Sequence, residues 1–273
     1  MGLGIFSCPC CPKDDQNREP LLKHGQSYCS LGPLGNVGPT GLVKENASDN
    51  FAENRARSTY GRVFGSPLVT LEHDGSQIPT IVERMMTAIE ETGINAEGLY
   101  RKNGLVTDVK ALIRDCNEDP DSVNFAKQHI HVLATAFKTL FRDLPEPLLC
   151  YGLYDEFVDA ASNPNEEERM RCVLEVKHKL PQQNIRVLDR LLGHLARVAK
   201  AADNRMTANS LAIIFAPNIL QPLQPPPSDR PDQIIANVKI QTACIQCMIE
   251  ETIKKLSNGT LGDPPDSEDE DRL

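Results

Sequence analysis

Arg101 sits in AEGLYRKNG (residues 96–104), directly after an aromatic residue and inside a stretch that closes on glycine. The segment is too short and polar for a strand core, and its glycines oppose a helix. It reads as a loop with an apolar base, Leu99 and Tyr100, that aims a long cation at something outside the chain. Lys138 and Arg142, in ATAFKTLFRDLPEPLL, are four residues apart and so stand one above the other on a helix face. Residues before a proline are pushed out of the α region, which makes Leu144 and Glu146 a rigid extended turn after that helix. Asn218 follows Pro217 at the end of MTANSLAIIFAPNIL, a helix end where side chains meet partners. For any of these stretches alone, solvated surface is the plain alternative.

Other chemistries find no footing. The sequence has no glycine-rich Walker loop with its lysine, no His-Glu-x-x-His and no Gly-x-Ser-x-Gly elbow. His129 and His131 are two apart, so on a helix they would point to different sides and could not share a metal. Cys244 and Cys247 lie in the last helical stretch without the strand-loop-helix setting of a redox pair, which favours buried thiols. No metal site and no nucleophile–base pair can be assembled from local spacing. A catalytic role would have to use very few groups of the chain's own.

The elements that must position these residues are helical. Val82, Met85, Met86 and Ile89 fall at helical spacing after Pro79. Leu133, Phe137, Leu140, Phe141 and Leu144 make a second apolar stripe, and Leu188, Leu191, Leu192, Leu195 and Val198 a third. Asn163 and Pro164 are expected to cap and start a helix through NEEERMRCVLEVKHKL. SLAIIFAPNIL is apolar all round, which predicts a buried central helix that stops where Pro217 intervenes. A last helix is expected from about Asp232 to Leu256. No strand alternation of comparable length occurs, so the expected fold is all-α with about eight or nine helices. The expected layout is a disordered segment over residues 1–65, one domain over 66–258 and a disordered acidic tail over 259–273.

The net charge is −9, which argues against nucleic acid as a partner, because phosphate binding needs a concentrated basic face. No run reaches the roughly 18 apolar residues of a membrane-spanning helix, and MGLGIFSCPCCPKDD lacks the basic and long apolar regions of a secretory signal. Nine cysteines without small-scaffold spacing suit a reduced, cytoplasmic chain.

The order and separation of these stretches resemble the Rho GTPase-activating (RhoGAP) domain family over roughly residues 66–258. EGLYRKNG is similar to the family's arginine-finger loop, FKTLFRDLPEPLL to its most recognisable helix and turn, and ANSLAIIFAPNIL to the helix ending in an asparagine that contacts the GTPase. Among subfamilies, the Tyr-Arg-Lys turn and FAPNIL look most like the domains in class IX myosin tails. The resemblance implies that Arg101 is the catalytic finger and that Lys138, Arg142 and Asn218 bind the partner. That partner would be a Rho-family small GTPase in its GTP-bound state. GTP and magnesium would be the GTPase's, with no cofactor held by this chain, which would be an activator and not a complete enzyme. It further implies that Gly98 and Gly104 let the loop approach the nucleotide and that Tyr100 anchors it. Two positions depart from the family pattern, Asn103 where serine is common and Ala216 where glycine is common.

Two alternatives come from other classes. One is a RhoGAP-like module kept only for binding, which the intact Arg101 disfavours. The other is a membrane-tethered scaffold, with acyl groups on Cys8, Cys10 and Cys11 near Gly2; at least two anchors would be needed for stable attachment. The myristoylation pattern wants Ser or Thr where Phe6 stands, and the cysteines also fit the remnant of a zinc module or plain flexible sequence. Peripheral membrane contact is therefore the most that is expected, and the cytosol is favoured. QPLQPPPSDRP (residues 221–231) can form a polyproline II segment for a proline-reading domain, or a rigid loop between two helices.

Overall fold

The computed structural model describes residues 63–73, 75–224 and 231–259. Among them are eight α-helices: α1 Thr80–Gly93, α2 Val106–Glu118, α3 Ile130–Arg142, α4 Tyr154–Ala161, α5 Glu166–Lys177, α6 Gln182–Lys200, α7 Ala208–Ile219 and α8 Pro231–Ser257. An isolated bridge between His73 and Pro79 is the only β pairing among the described residues. The fold is all-α. Cys8, Cys10 and Cys11, the acidic tail from residue 260 onward and residues 225–230 of the proline-rich segment lie outside the described residues.

Each apolar stripe became the inner face of a helix. α1 buries Ile81, Val82, Met85, Met86, Ala88 and Ile89 behind Pro79, whose fixed φ of −57° sets the helix entry. α3 buries Val132, Leu133, Ala136, Phe137, Leu140 and Phe141. α6 does the same with Leu188, Leu191, Leu192, Leu195 and Val198. α8 runs against α4, α5, α6 and α7, while α3 packs on α1, α2 and α7, so one apolar core joins the two groups. No helix among the described residues is long and apolar enough to cross a membrane.

Three expectations are corrected. Pro217 does not stop α7: the helix continues to Ile219, and Leu220 N–H still donates to Ala216 O at 3.0 Å. A proline so close to a helix end forgoes only one bond before the ladder closes. α7 is also not buried all round, because Ile213 is 51% exposed. Finally, α5 is capped by Asn165, not by Asn163 and Pro164. The Asn165 side chain accepts from Glu168 N at 3.0 Å, while the Asn163 side chain accepts from Asn165 N and so shapes the preceding turn.

α3 ends where LPEP begins, and Leu144, just past its end, is 2% exposed. The chain then returns to the end of α7, with Leu149 N–H donating to Ile219 O at 3.0 Å. That bond ties the segment after Arg142 to the residue after Asn218.

Candidate functional site

The loop between α1 and α2 is turned by Gly98 (φ +70°) and held at its base by Asn204. Asn204 is buried; its carbonyl accepts from Gly98 N at 2.8 Å, and its side-chain amide donates to Ile94 O at 2.8 Å and Val198 O at 2.7 Å. Tyr100 takes a φ of +68°, a left-handed conformation that is costly for a bulky residue, on the order of 1–3 kcal/mol. What over-determines it is the packing of its side chain. Tyr100 is 0% exposed, its ring meets Phe215 edge-on at 4.9 Å, and its hydroxyl lies 2.5 Å from His194 Nε2. With Tyr100 turned in, the next side chain turns out. Arg101 is exposed; its backbone N–H donates to Gly98 O at 2.9 Å, while its guanidinium has no hydrogen-bond or ion-pair partner among the described residues.

Lys138 steadies the same turn from α3. Its ammonium donates to Tyr100 O at 2.5 Å and to Asn103 Oδ1 at 3.4 Å. Burial, and then the neighbouring charge of Arg142, lowers its pKa from the ordinary lysine value. Arg142, one turn along, is exposed, with Nε donating to Asp143 Oδ1 at 3.0 Å. Asn218 is half-buried at the end of α7 and donates to Ile214 O at 2.7 Å. The structure thus joins Arg101, Lys138 and Arg142 through the loop and α3. Among the described residues no hydrogen bond links Asn218 to them.

At Gly104 the domain itself requires a glycine. A Cβ there would lie 2.5 Å from Val132 Cα and 2.8 Å from His131 O, and Gly104 N donates to Thr135 Oγ1 at 3.0 Å. Its missing side chain lets the loop close against the domain's own α3. His129 and His131 do not both lie within a helix: His129 is the N-cap of α3, with extended backbone and a carbonyl that accepts from Leu133 N at 3.0 Å, and the two ring centroids are 5.6 Å apart. Among the described residues no group of three or more His, Cys, Asp or Glu could hold a metal ion. Cys244 and Cys247 are buried, and burial raises both thiols, Cys247 to about 12.

Beneath Tyr100 lies a network that local spacing did not reveal. His194 Nδ1 is 2.7 Å from Glu90 Oε1, and that oxygen also accepts from Arg190 at 2.9 Å and Arg197 at 2.7 Å. Arg190 additionally grips Glu83 through Nε and Nη2. Burial lowers the His194 pKa and keeps the ring neutral. Burial alone would raise the Glu90 pKa, but hydrogen bonds from His194 and the arginines hold it well below the usual carboxylate range. The consistent assignment is an ionised Glu90 accepting Nδ1–H, which leaves Nε2 to accept from the Tyr100 hydroxyl. One signal for it was in the sequence: Arg190, His194 and Arg197 interrupt the leucine stripe of α6.

Comparisons with known proteins identify the family and the fold. The family model described as the RhoGAP domain matches residues 79–224, more than half of the chain. Unconventional myosin-IXa of Mus musculus is 37% identical over 195 residues, covering 71% of this chain and 8% of that protein. Rho GTPase-activating protein 30 of Homo sapiens is 37% identical over 165 residues, 59% of this chain and 15% of that protein. The chain therefore spans only a small part of the curated relatives it matches. The crystal structure of human Rho GTPase activating protein 15 aligns with a TM-score of 0.64 at 27% identity, covering 77% of this chain and 99% of that one. The BH domain from GRAF, the GTPase regulator associated with focal adhesion kinase, aligns at a TM-score of 0.58 with 32% identity, covering 67% of this chain and 96% of that one. A buried aromatic under an outward arginine, a lysine-bearing helix followed by a double-proline turn, and a helix with an asparagine next to its last residue occur in a chain that belongs to the RhoGAP domain family.

Proposed function

We propose that this domain accelerates GTP hydrolysis by a Rho-family GTPase in its GTP-bound state by inserting Arg101 beside the nucleotide. The observation that carries the reading is the pairing of an exposed Arg101, its guanidinium partnerless among the described residues, with a Tyr100 that is fully buried and held from its hydroxyl and its carbonyl. A guanidinium is always charged and forks onto two oxygens, which suits the charge that develops on transferring phosphoryl oxygens. Pre-orienting the loop means that little has to be reorganised when that charge appears. Lys138 positions the loop from below, and Arg142 and Asn218 meet the GTPase beside it. GTP and magnesium belong to the GTPase. This chain contributes a charge and a docking face, with no cofactor and no complete active site of its own.

The test is GTP hydrolysis by a panel of Rho-, Rac- and Cdc-type GTPases with and without the protein. Arg101→Ala should lose most of the acceleration, about 10³-fold or more, while affinity for the GTP-loaded partner stays within a few-fold. Arg101→Lys should also be poor, because an ammonium cannot fork. An alanine variant with wild-type acceleration would remove the finger assignment.

A further inference from the structure

We propose that Leu105 and Val106 form an apolar docking edge for the surface of the GTPase that surrounds its nucleotide, an inference that rests on the finger reading above. The two side chains are 65% and 64% exposed, and they open α2 directly after the finger loop. Leu105 occupies the N-cap of that helix in an extended conformation, and no side chain caps the helix. An N-cap normally carries Ser, Thr, Asn or Asp, whose side-chain oxygen satisfies an orphan N–H; leucine is among the poorest choices. Asn165 caps α5 and Thr207 caps α7 in that way, whereas α1, α3, α4 and α6, like α2, have no side-chain cap. At α2 the chain forgoes the cap and keeps two large apolar groups in water. An exposed leucine alone is ordinary. Two adjacent large apolar side chains, Leu105 and Val106, both nearly two-thirds exposed and next to the finger, are not.

Their position decides what covers them. Leu105 is four residues from Arg101, so their Cα atoms are at most about 14 Å apart. A standard interface covers roughly 800 Å² per partner, a disc roughly 16 Å in radius. Lys102 and Asn103 are exposed as well, so from Arg101 to Val106 every residue but the half-buried Gly104 faces solvent. A partner that receives Arg101 therefore reaches this edge. A second copy of this chain is disfavoured, because pairing through the edge would set Arg101, Lys102 and Lys138 against the same cations. The fitting occupant has anionic phosphate at its centre and an apolar rim, so that Arg101 supplies rate and the edge supplies affinity.

The experiment measures binding of a Rho-family GTPase loaded with GDP and aluminium fluoride to wild type, Leu105→Ser and Leu105→Met, alongside thermal melting and sedimentation of each. Leu105→Ser should restore a cap, leaving the melting temperature unchanged or raising it by roughly 2–4 °C. It should nevertheless bind about tenfold more weakly, while Leu105→Met stays near wild-type affinity. If Leu105→Ser bound as wild type does, the edge would be refuted and the finger reading would stand. A serine variant that melted lower and bound weaker would make Leu105 a structural residue and also overturn the edge. So would self-association of the wild type that the serine variant loses. Failure of the wild type to capture any Rho-family GTPase would overturn both readings.

Discussion

Arg101 and Arg190 carry the same side chain to opposite ends of one structure. Arg190 is 13% exposed at its side chain and is saturated by Glu83 and Glu90. Arg101 is exposed, and its guanidinium meets no partner among the described residues. Between them stand Tyr100, His194 and Glu90, each hydrogen-bonded to the next. A charge available to another molecule must be left unneutralised, yet it must not wander. The domain separates the two demands by neutralising every charge in the foundation and leaving the tip alone. An arginine on a floppy loop would lose backbone and side-chain freedom on binding; here the loop backbone is ordered on folding, which leaves only the side chain's rotamers to be fixed.

The comparison predicts opposite signatures for the two ends. Glu90→Gln leaves Arg190 and Arg197 without their shared carboxylate, and breaking a buried pair costs about 3–5 kcal/mol. Chemical denaturation should register that loss, whereas Arg101→Ala should denature as wild type does. If the two variants proved equally stable, tip and foundation would not be distinct.

Tyr100→Phe is a smaller and sharper probe. It removes one hydroxyl and leaves His194 Nε2 buried without its donor, which costs about 1–3 kcal/mol. The ring stays packed on Phe215 and Phe137, so the loop should keep its path but lose rigidity. The expected kinetic result is a reduced turnover at saturating GTPase with little change in KM. Unchanged turnover would mean that the network supports the fold and not the finger.

The smallest effect is in pH. His194 is neutral in the fold with a lowered pKa, so the unfolded chain takes up a proton first as the pH falls below about 6.5. Stability on this account is full above that value and declines as the pH falls through it. Glu90, also lowered, adds a further loss below about 4.3, the range where an unfolded carboxylate protonates. Melting temperatures between pH 7.5 and 5.5 should fall for wild type and flatten for His194→Gln. Equal slopes for the two proteins would mean that His194 does not titrate in this way.

Much of the fold was legible because helical periodicity is a local property. The stripes of α1, α3 and α6 lie in short windows of sequence, and every residue of them is buried, Leu144 just past the end of α3. Legibility ended where a neighbour in space decided the outcome. Ile213 looked like core, but about half of it faces solvent among the described residues. At Gly104 the glycine is required by Val132, which approaches from α3. His129 and His131 looked divergent, but the helix starts between them.

By itself, the order of side chains determined that the domain is helical, that Tyr100 goes in and Arg101 goes out of a glycine-turned loop, and that Lys138 and Arg142 share a face. The helical fold and the shared face follow from local periodicity, and the apolar Leu99-Tyr100 beside the cationic Arg101 sets which side chain prefers the core. Only the tertiary structure decided that His194, 94 residues from Tyr100, accepts its hydroxyl, that Glu90 meets His194, Arg190 and Arg197, and that Lys138 caps the Tyr100 carbonyl. The physical reason is that a buried hydrogen bond has no sequence period. It depends on which helices the core brings face to face, and that is settled by packing summed over the whole domain.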